Sequence, residues 1–164
     1  MAQPPAGRYP AGVPLAYHHL AIQCADLDRC ERFYRDVLGL RVLRRWPRDV
    51  GGDRSVWLAV GDGEEGFLAL ERADEPPPER PWRDGAPGLH LLALRIAAEE
   101  RRGWEDRLDA AGVLVVHRTR WTIYFHDPEG NRIGLSHHPH DVAEPGLSPE
   151  LTRAAEREGG GEDA

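Results

Sequence analysis

The sequence predicts an α+β fold built from two βαβββ modules that form a curved mixed sheet around a pocket. Three observations predict it. Residues 18–26 read HHLAIQCAD and are answered by HLLALRIAA at 90–98. Each copy leads into an amphipathic helical stretch that stops at a glycine, Gly39 or Gly112. Three further strand-like runs follow each glycine. A duplicated unit implies a pseudo-twofold axis with a pocket between related halves.

In the first module, Leu20, Ile22 and Cys24 alternate with His19, Ala21 and Gln23. That period of two marks a strand with one buried face. Asp26 or Asp28 then caps a helix, Glu31 following Asp28 by three residues. Leu27, Cys30, Phe33, Tyr34, Val37 and Leu38 form its apolar stripe. Gly39 sits where a helix commonly ends in the left-handed conformation. Strands are expected near 40–47, 54–60 and 66–72.

Prolines 76–78, 81 and 87 make residues 73–88 a stiff connector. In the second module, Leu92, Leu94 and Ile96 form the helix-facing side of a strand. A helix near 99–111 buries Trp104, Leu108 and Ala111. Strands follow near 113–118, 121–126 and 132–137. One domain is expected over 15–139, with modules at 15–72 and 89–139. Residues 1–14 read as a flexible tail. Residues 140–164 read as a polar tail with a short helix at 148–157, where Pro149 takes the first helical position, and a disordered end.

The chain has 164 residues, 40% hydrophobic and 30% charged, with a net charge of −7. That acidity argues against nucleic acid or an anionic membrane as partner. No apolar run approaches the ~18 residues that span a bilayer. The N-terminus lacks the apolar core of a signal peptide, so a cytoplasmic setting is expected. Cys24 and Cys30 read as two buried thiols rather than a disulfide framework or a metal motif.

Register decides which side chains share the pocket, because a one-residue slip turns every side chain over. Matching the wholly apolar faces pairs Leu20 with Leu92, His18 with His90, His19 with Leu91 and Gln23 with Arg95. It likewise pairs Ala69 with Gly134 and Glu71 with Ser136. His19, Ala21, Gln23, Leu91, Ala93 and Arg95 then line the concave side. A slip of one in the fifth strand would bring His90 back to that face.

His19 with Asp26, FYRDVLGL at 33–40 and YFHDPEGNRIGL at 124–135 resemble the vicinal oxygen chelate superfamily. That superfamily includes glyoxalase I, extradiol dioxygenases, fosfomycin-resistance enzymes and bleomycin-resistance proteins. The resemblance covers roughly residues 15–139 and implies a glyoxalase-like fold and a homodimer. The Asp127 to Asn131 turn suits a structural role. Members of the family chelate a divalent metal on strands one, four, five and eight. Carried over, those positions are His19, Ala69, Leu91 and Gly134. Only His19 can coordinate, whereas a catalytic metal needs about three protein ligands.

The remaining candidates follow from side-chain parity. His19 is a general base, a hydrogen-bonding group or a relic ligand; His18 and His90 read as structural. An inward Arg95 needs a partner, either Glu71 or a ligand carboxylate or phosphate. Gln23 and Glu71 share the ligand-facing side. Trp57, Phe67, Trp121 and Tyr124 either wall the pocket or belong to the core. Of His126, His137, His138 and His140, only His138 shares the face of Gly134, so a shifted metal site would use His19, Glu71 and His138.

The sequence thus predicts a small-molecule pocket without the usual metal triad or another cofactor. It would serve a binding protein, or a metal-independent enzyme using His19 and Arg95. The alternative is a divalent-metal enzyme of the glyoxalase or dioxygenase type, a lyase or oxidoreductase, with a displaced site. A third reading is a fold kept for assembly alone, with no ligand.

Overall fold

A computed structural model describes residues 17–62, 66–75 and 87–139. The expected tails at 1–14 and 140–164, the helix at 148–157 and most of the connector lie outside the described residues. The first module runs β1 (His19–Cys24), α1 (Leu27–Arg32), β2 (Val42–Pro47), β3 (Asp53–Ala59) and β4 (Phe67–Arg72). The second runs β5 (Leu92–Arg95), α2 (Arg101–Ala110), β6 (His117–Arg118), β7 (Thr122–His126) and β8 (Arg132–Ser136). The sheets have matching orders, β1-β4-β3-β2 and β5-β8-β7-β6. The β1–β4 and β5–β8 pairs are parallel, and the other pairs are antiparallel. The duplication read from the sequence is therefore a duplication of topology.

Asp26, not Asp28, caps α1: its side chain accepts the Arg29 N–H at 2.9 Å. The helix then widens into one π turn, Phe33–Val37, with Leu38 N–H bonded to Phe33 O at 3.2 Å. This turn keeps the adjacent Phe33 and Tyr34 both buried. Gly39 follows at φ +75°, the left-handed position expected of it.

Three boundaries differ from expectation. A 3-10 turn, Ala98–Glu100, precedes α2, which ends one residue early, so Ala111 is an exposed cap and not a core residue. The strand expected at 113–118 shrinks to two residues. The reason lies in the backbone: Val113 N–H bonds back to Leu108 O at 2.9 Å, closing the helix end instead of joining a ladder. Strand β2 starts at Val42 and is irregular against β3 between Val42 and Arg44 and between Trp46 and Pro47.

One continuous core holds both modules. Cys24, Leu27, Tyr34 and Leu70 from the first share it with Leu108, Ile123, Phe125 and Ile133 from the second. The modules meet through α1 and the β7–β8 turn. Tyr34 OH donates to Asp127 Oδ2 at 2.8 Å, and Phe33 lies 6.2 Å from Phe125, ring to ring. Glu129 reaches back to the N–H groups of Ala25 and Asp26, and Arg107 donates to Asp36 O at 2.8 Å.

This joint makes stability sensitive to alkali. Contact with the Cys24 thiol, then burial and Glu129, push the Cys30 thiol up. Burial, then the charge of Asp127, push up the Tyr34 phenol. Unfolded thiols lose protons from about pH 8.5 and phenols from about pH 10, while the folded groups keep theirs. Above about pH 8.5 the folded state therefore binds more protons, and stability falls as pH rises. Urea midpoints at pH 7.5 and pH 10 check this: the higher pH is expected to give the lower midpoint, and an unchanged one would refute it.

Candidate functional site

The faces of the two sheets turned away from the core carry the predicted site residues. On the first sheet the register places His19 beside Phe67, Ala21 beside Ala69 and Gln23 beside Glu71. On the second it places Ala93 beside Gly134 and Arg95 beside Ser136. The pairing of Ala69 with Gly134, and of Glu71 with Ser136, across the duplication follows directly.

The first sheet presents an unbroken aromatic run. The His19 ring stacks on Phe67 at 4.9 Å with 8° between planes. Phe67 stacks on Trp57 at 4.4 Å. Trp57 meets Trp46 edge-on at 5.3 Å, and the Arg44 guanidinium sits 3.8 Å from the Trp46 ring centre. Trp57, Phe67 and Trp46 are only half-buried, so this is a wall and not the core. Trp46 and Arg44 are additions that the sequence did not reveal. The irregularities in β2 break the alternation that would have shown them. Trp46 Nε1 is buried with no hydrogen-bond acceptor among the described residues.

The other end of the same face is polar. Ser55 Oγ donates to Glu71 Oε1 at 2.8 Å, and Gln23 is exposed beside them. Small Ala21 and Ala69 form the floor between the two ends. The second sheet repeats this plan in another chemistry. Tyr124 lies under the Arg132 guanidinium at 4.3 Å and beside His117 at 5.5 Å. Thr122 Oγ1 donates to Ser136 Oγ at 2.8 Å, where the first sheet has Ser55 and Glu71. Trp121 is flanked by the rings of His137 and His138 and by Arg120.

Arg95 departs from expectation. It is exposed, not buried, so it needs no internal partner, and no ion pair joins it to Glu71. It borders a cavity of about 530 Å³ together with His137 and His138. A second cavity of about 550 Å³ lies between the α1 side, from Arg29 to Val37, and the segments at 111–114 and 126–128. Neither cavity includes any of the aromatic run.

His18 is also exposed. Its Nδ1 lies 2.7 Å from His19 Nδ1, so one ring donates to the other and fixes its tautomer. His90 is exposed and accepts from Arg132 at 3.0 Å. Leu91, not His90, faces Gly134: a methyl group at 134 would stand 3.3 Å from Leu91 Cδ1 and 3.0 Å from Thr122 Cγ2.

That packing decides the metal question at the positions implied by the sequence resemblance. Ala69 is buried and apolar, Leu91 occupies the space beside residue 134, and Gly134 has no side chain. The residues present do not fit a divalent ion there. The structure does not bring His19, Glu71 and His138 together either. Among the described residues, the one group of three potential metal ligands within reach of each other is Cys24, Cys30 and Glu129. The tight space makes a further test. Gly134→Ala is expected to cost about 1–3 kcal/mol by overpacking, read as a lowered urea midpoint; an unchanged midpoint would show that Thr122 and Leu91 yield freely.

Comparison with known proteins agrees with the architecture. Residues 16–135 match the family model of the Glyoxalase/Bleomycin resistance protein/Dioxygenase superfamily, and the chain belongs to that superfamily. An uncharacterised Bacillus subtilis protein, YwkD, is 32% identical over 85 residues, which are 51% of this chain and 63% of that protein. The match thus spans less than two thirds of that relative. The glutathione transferase FosA of Serratia marcescens is 26% identical over 123 residues, 72% of this chain and 77% of the relative. Among solved structures, TnmS3, an antibiotic-binding protein from a Streptomyces species, superposes with a TM-score of 0.53 at 25% identity. That superposition covers 76% of this chain and 95% of TnmS3.

Proposed function

We propose that this protein binds a flat, aromatic, anionic small molecule on its inner faces, without a catalytic metal. The observation that carries this reading is the run from His19 through Phe67, Trp57 and Trp46 to Arg44. Aromatic faces take planar ligands by stacking. The guanidinium groups of Arg44, Arg95 and Arg132 supply cations in a chain of net charge −7, and a guanidinium fork matches a carboxylate or phosphate. Ala21, Ala69 and Gly134 keep the floor low enough to admit a ring system.

In this reading His19 ends the aromatic wall, Arg95 anchors the anionic group, and Gln23 and Glu71 contact polar substituents. Trp121, Tyr124 and His138 face the ligand from the second sheet. The antibiotic-binding relative TnmS3 lends the reading support. The wrong residues at 69, 91 and 134 weigh against the metalloenzyme alternative.

The site is completed by a second copy of the chain. His19, Ala21, Gln23, Ala93 and Arg95 are all exposed, because the modules join through their helical sides. A homodimer that sets the first module's inner face against the partner's second module would enclose the pocket. No helix among the described residues is long and apolar enough to cross a membrane. Two free cysteines suit a reducing cytoplasm.

Titration with naphthalene and anthraquinone sulfonates, followed by tryptophan fluorescence, tests the proposal. Saturable quenching is expected, weakened about tenfold or more in Arg95→Ala, as for a lost charged anchor. A broad aromatic-anion panel that neither quenches nor raises the melting temperature would overturn it. Sedimentation showing only monomer at high protein concentration would overturn the dimer.

A further inference from the structure

Away from the inner faces, the joint between the modules gathers three ligand-bearing side chains. Cys24 ends β1 on its core side, and Cys30 lies one turn into α1; both have 0% exposure. Glu129 arrives from the β7–β8 turn of the other module. Its Oε1 lies 3.3 Å from Cys30 Sγ and accepts the N–H groups of Ala25 at 2.9 Å and Asp26 at 3.3 Å. One ligand atom from each of Cys24, Cys30 and Glu129 lies within 4.8 Å of the other two. Tetrahedral zinc, with Zn–S near 2.3 Å and Zn–O near 2.1 Å, sets its ligand atoms about 3.6–3.8 Å apart. Small side-chain adjustments meet that spacing.

We propose that Cys24, Cys30 and Glu129 supply three ligands to a thiophilic divalent cation of the zinc class, with solvent on the half-buried Glu129 side completing the tetrahedron. The ion clamps the second module's turn onto the start of α1. Two sulfurs and one carboxylate select zinc over magnesium or calcium, which prefer all-oxygen shells. On binding, each thiol gives its proton to solvent and becomes a thiolate ligand, so the ion exchanges for two protons. The site is independent of the ligand reading above. Zinc bound through thiolates would accordingly report on this joint and not on catalysis at the inner faces.

The full-length protein, reduced and stripped of metal, is titrated with Co²⁺ and then with Zn²⁺. Cobalt binding is expected to raise a thiolate-to-cobalt charge-transfer band in the near ultraviolet, which zinc abolishes. The band is lost in Cys30→Ser, and affinity falls in Glu129→Gln by at least the ~10-fold that loss of a mere supporting partner of a ligand costs. Zinc raises the melting temperature of the wild type but not of Cys30→Ser. If the variants fold poorly, a wild-type measurement suffices: zinc added near pH 7 in weak buffer releases about two protons per ion. Metal uptake without a thiolate band, or without proton release, would place the ion on surface histidines and overturn the proposal. Aromatic-ligand quenching in folded Cys30→Ser is expected to match the wild type, which keeps this test separate from the first.

Discussion

Asp127→Ala is expected to destabilise the protein by about 3–5 kcal/mol, because several hydrogen bonds to a carboxylate, worth about 1.5–3 kcal/mol each in isolation, are lost together and their neutral donors are left unbonded. Asp127 is 5% exposed. Its carboxylate accepts from Tyr34 OH at 2.8 Å, from the N–H groups of Glu129 and Asn131 at 2.9 and 2.8 Å, and from Asn131 Nδ2 at 2.9 Å. Alanine strands all of these donors, and the Tyr34 hydroxyl is the worst placed because Tyr34 is fully buried. Tyr34→Phe removes only one donor and leaves the others bonded, so its cost is about 1–1.5 kcal/mol. The order of the two variants in urea unfolding is the sharper test. Equal midpoints would mean that the bond between modules carries the whole effect and the turn bonds to Asp127 add nothing.

Trp57→Ala is expected to weaken binding of an aromatic anion by about 30-fold or more, the usual loss for a central aromatic anchor of about 2 kcal/mol. Trp57 stands mid-run, in contact with both Phe67 and Trp46. Alanine there breaks the wall into two fragments. Phe125→Ala is the matched control. Phe125 is fully buried on the core side of β7, so its loss costs about 3–5 kcal/mol of stability and leaves affinity unchanged below the new melting point. Calorimetric titration of both variants checks the contrast. If Phe125→Ala weakens binding as much as Trp57→Ala, the ligand sits elsewhere.

The strands and their facing were legible because β1 and β5 keep a period of two, and β4 was placed by its match to residues 132–136. Leu20, Ile22 and Cys24 declared the core side, and His19, Ala21 and Gln23 the other. The duplication then carried that register to Leu91 and Gly134, where the packing agrees. The aromatic wall was half legible. His19, Phe67 and Trp57 lie on regular strands, whereas Trp46 and Arg44 lie on one that is irregular twice.

Arg95 misled because parity fixes a face but not its exposure. The inner faces of a single chain do not cover one another, so an inward arginine remains in water. The group of Cys24, Cys30 and Glu129 was beyond reach for another reason. The thiols lie six residues apart, but the carboxylate is 99 residues from Cys30, and only docking of the modules unites them. The DPEGN turn was recognised as structural, and its hydrogen bonds bear this out: Asp127 organises the turn and ties it to α1.

An aromatic anion held on the inner faces by rings and guanidinium groups alone needs no metal. The most direct test is the affinity of wild-type protein for an anthraquinone sulfonate, measured by tryptophan quenching before and after exhaustive chelation. The same affinity is expected in both, with no gain on adding back manganese, iron, nickel or zinc. Binding that vanishes with chelation and returns with one of these ions would contradict this.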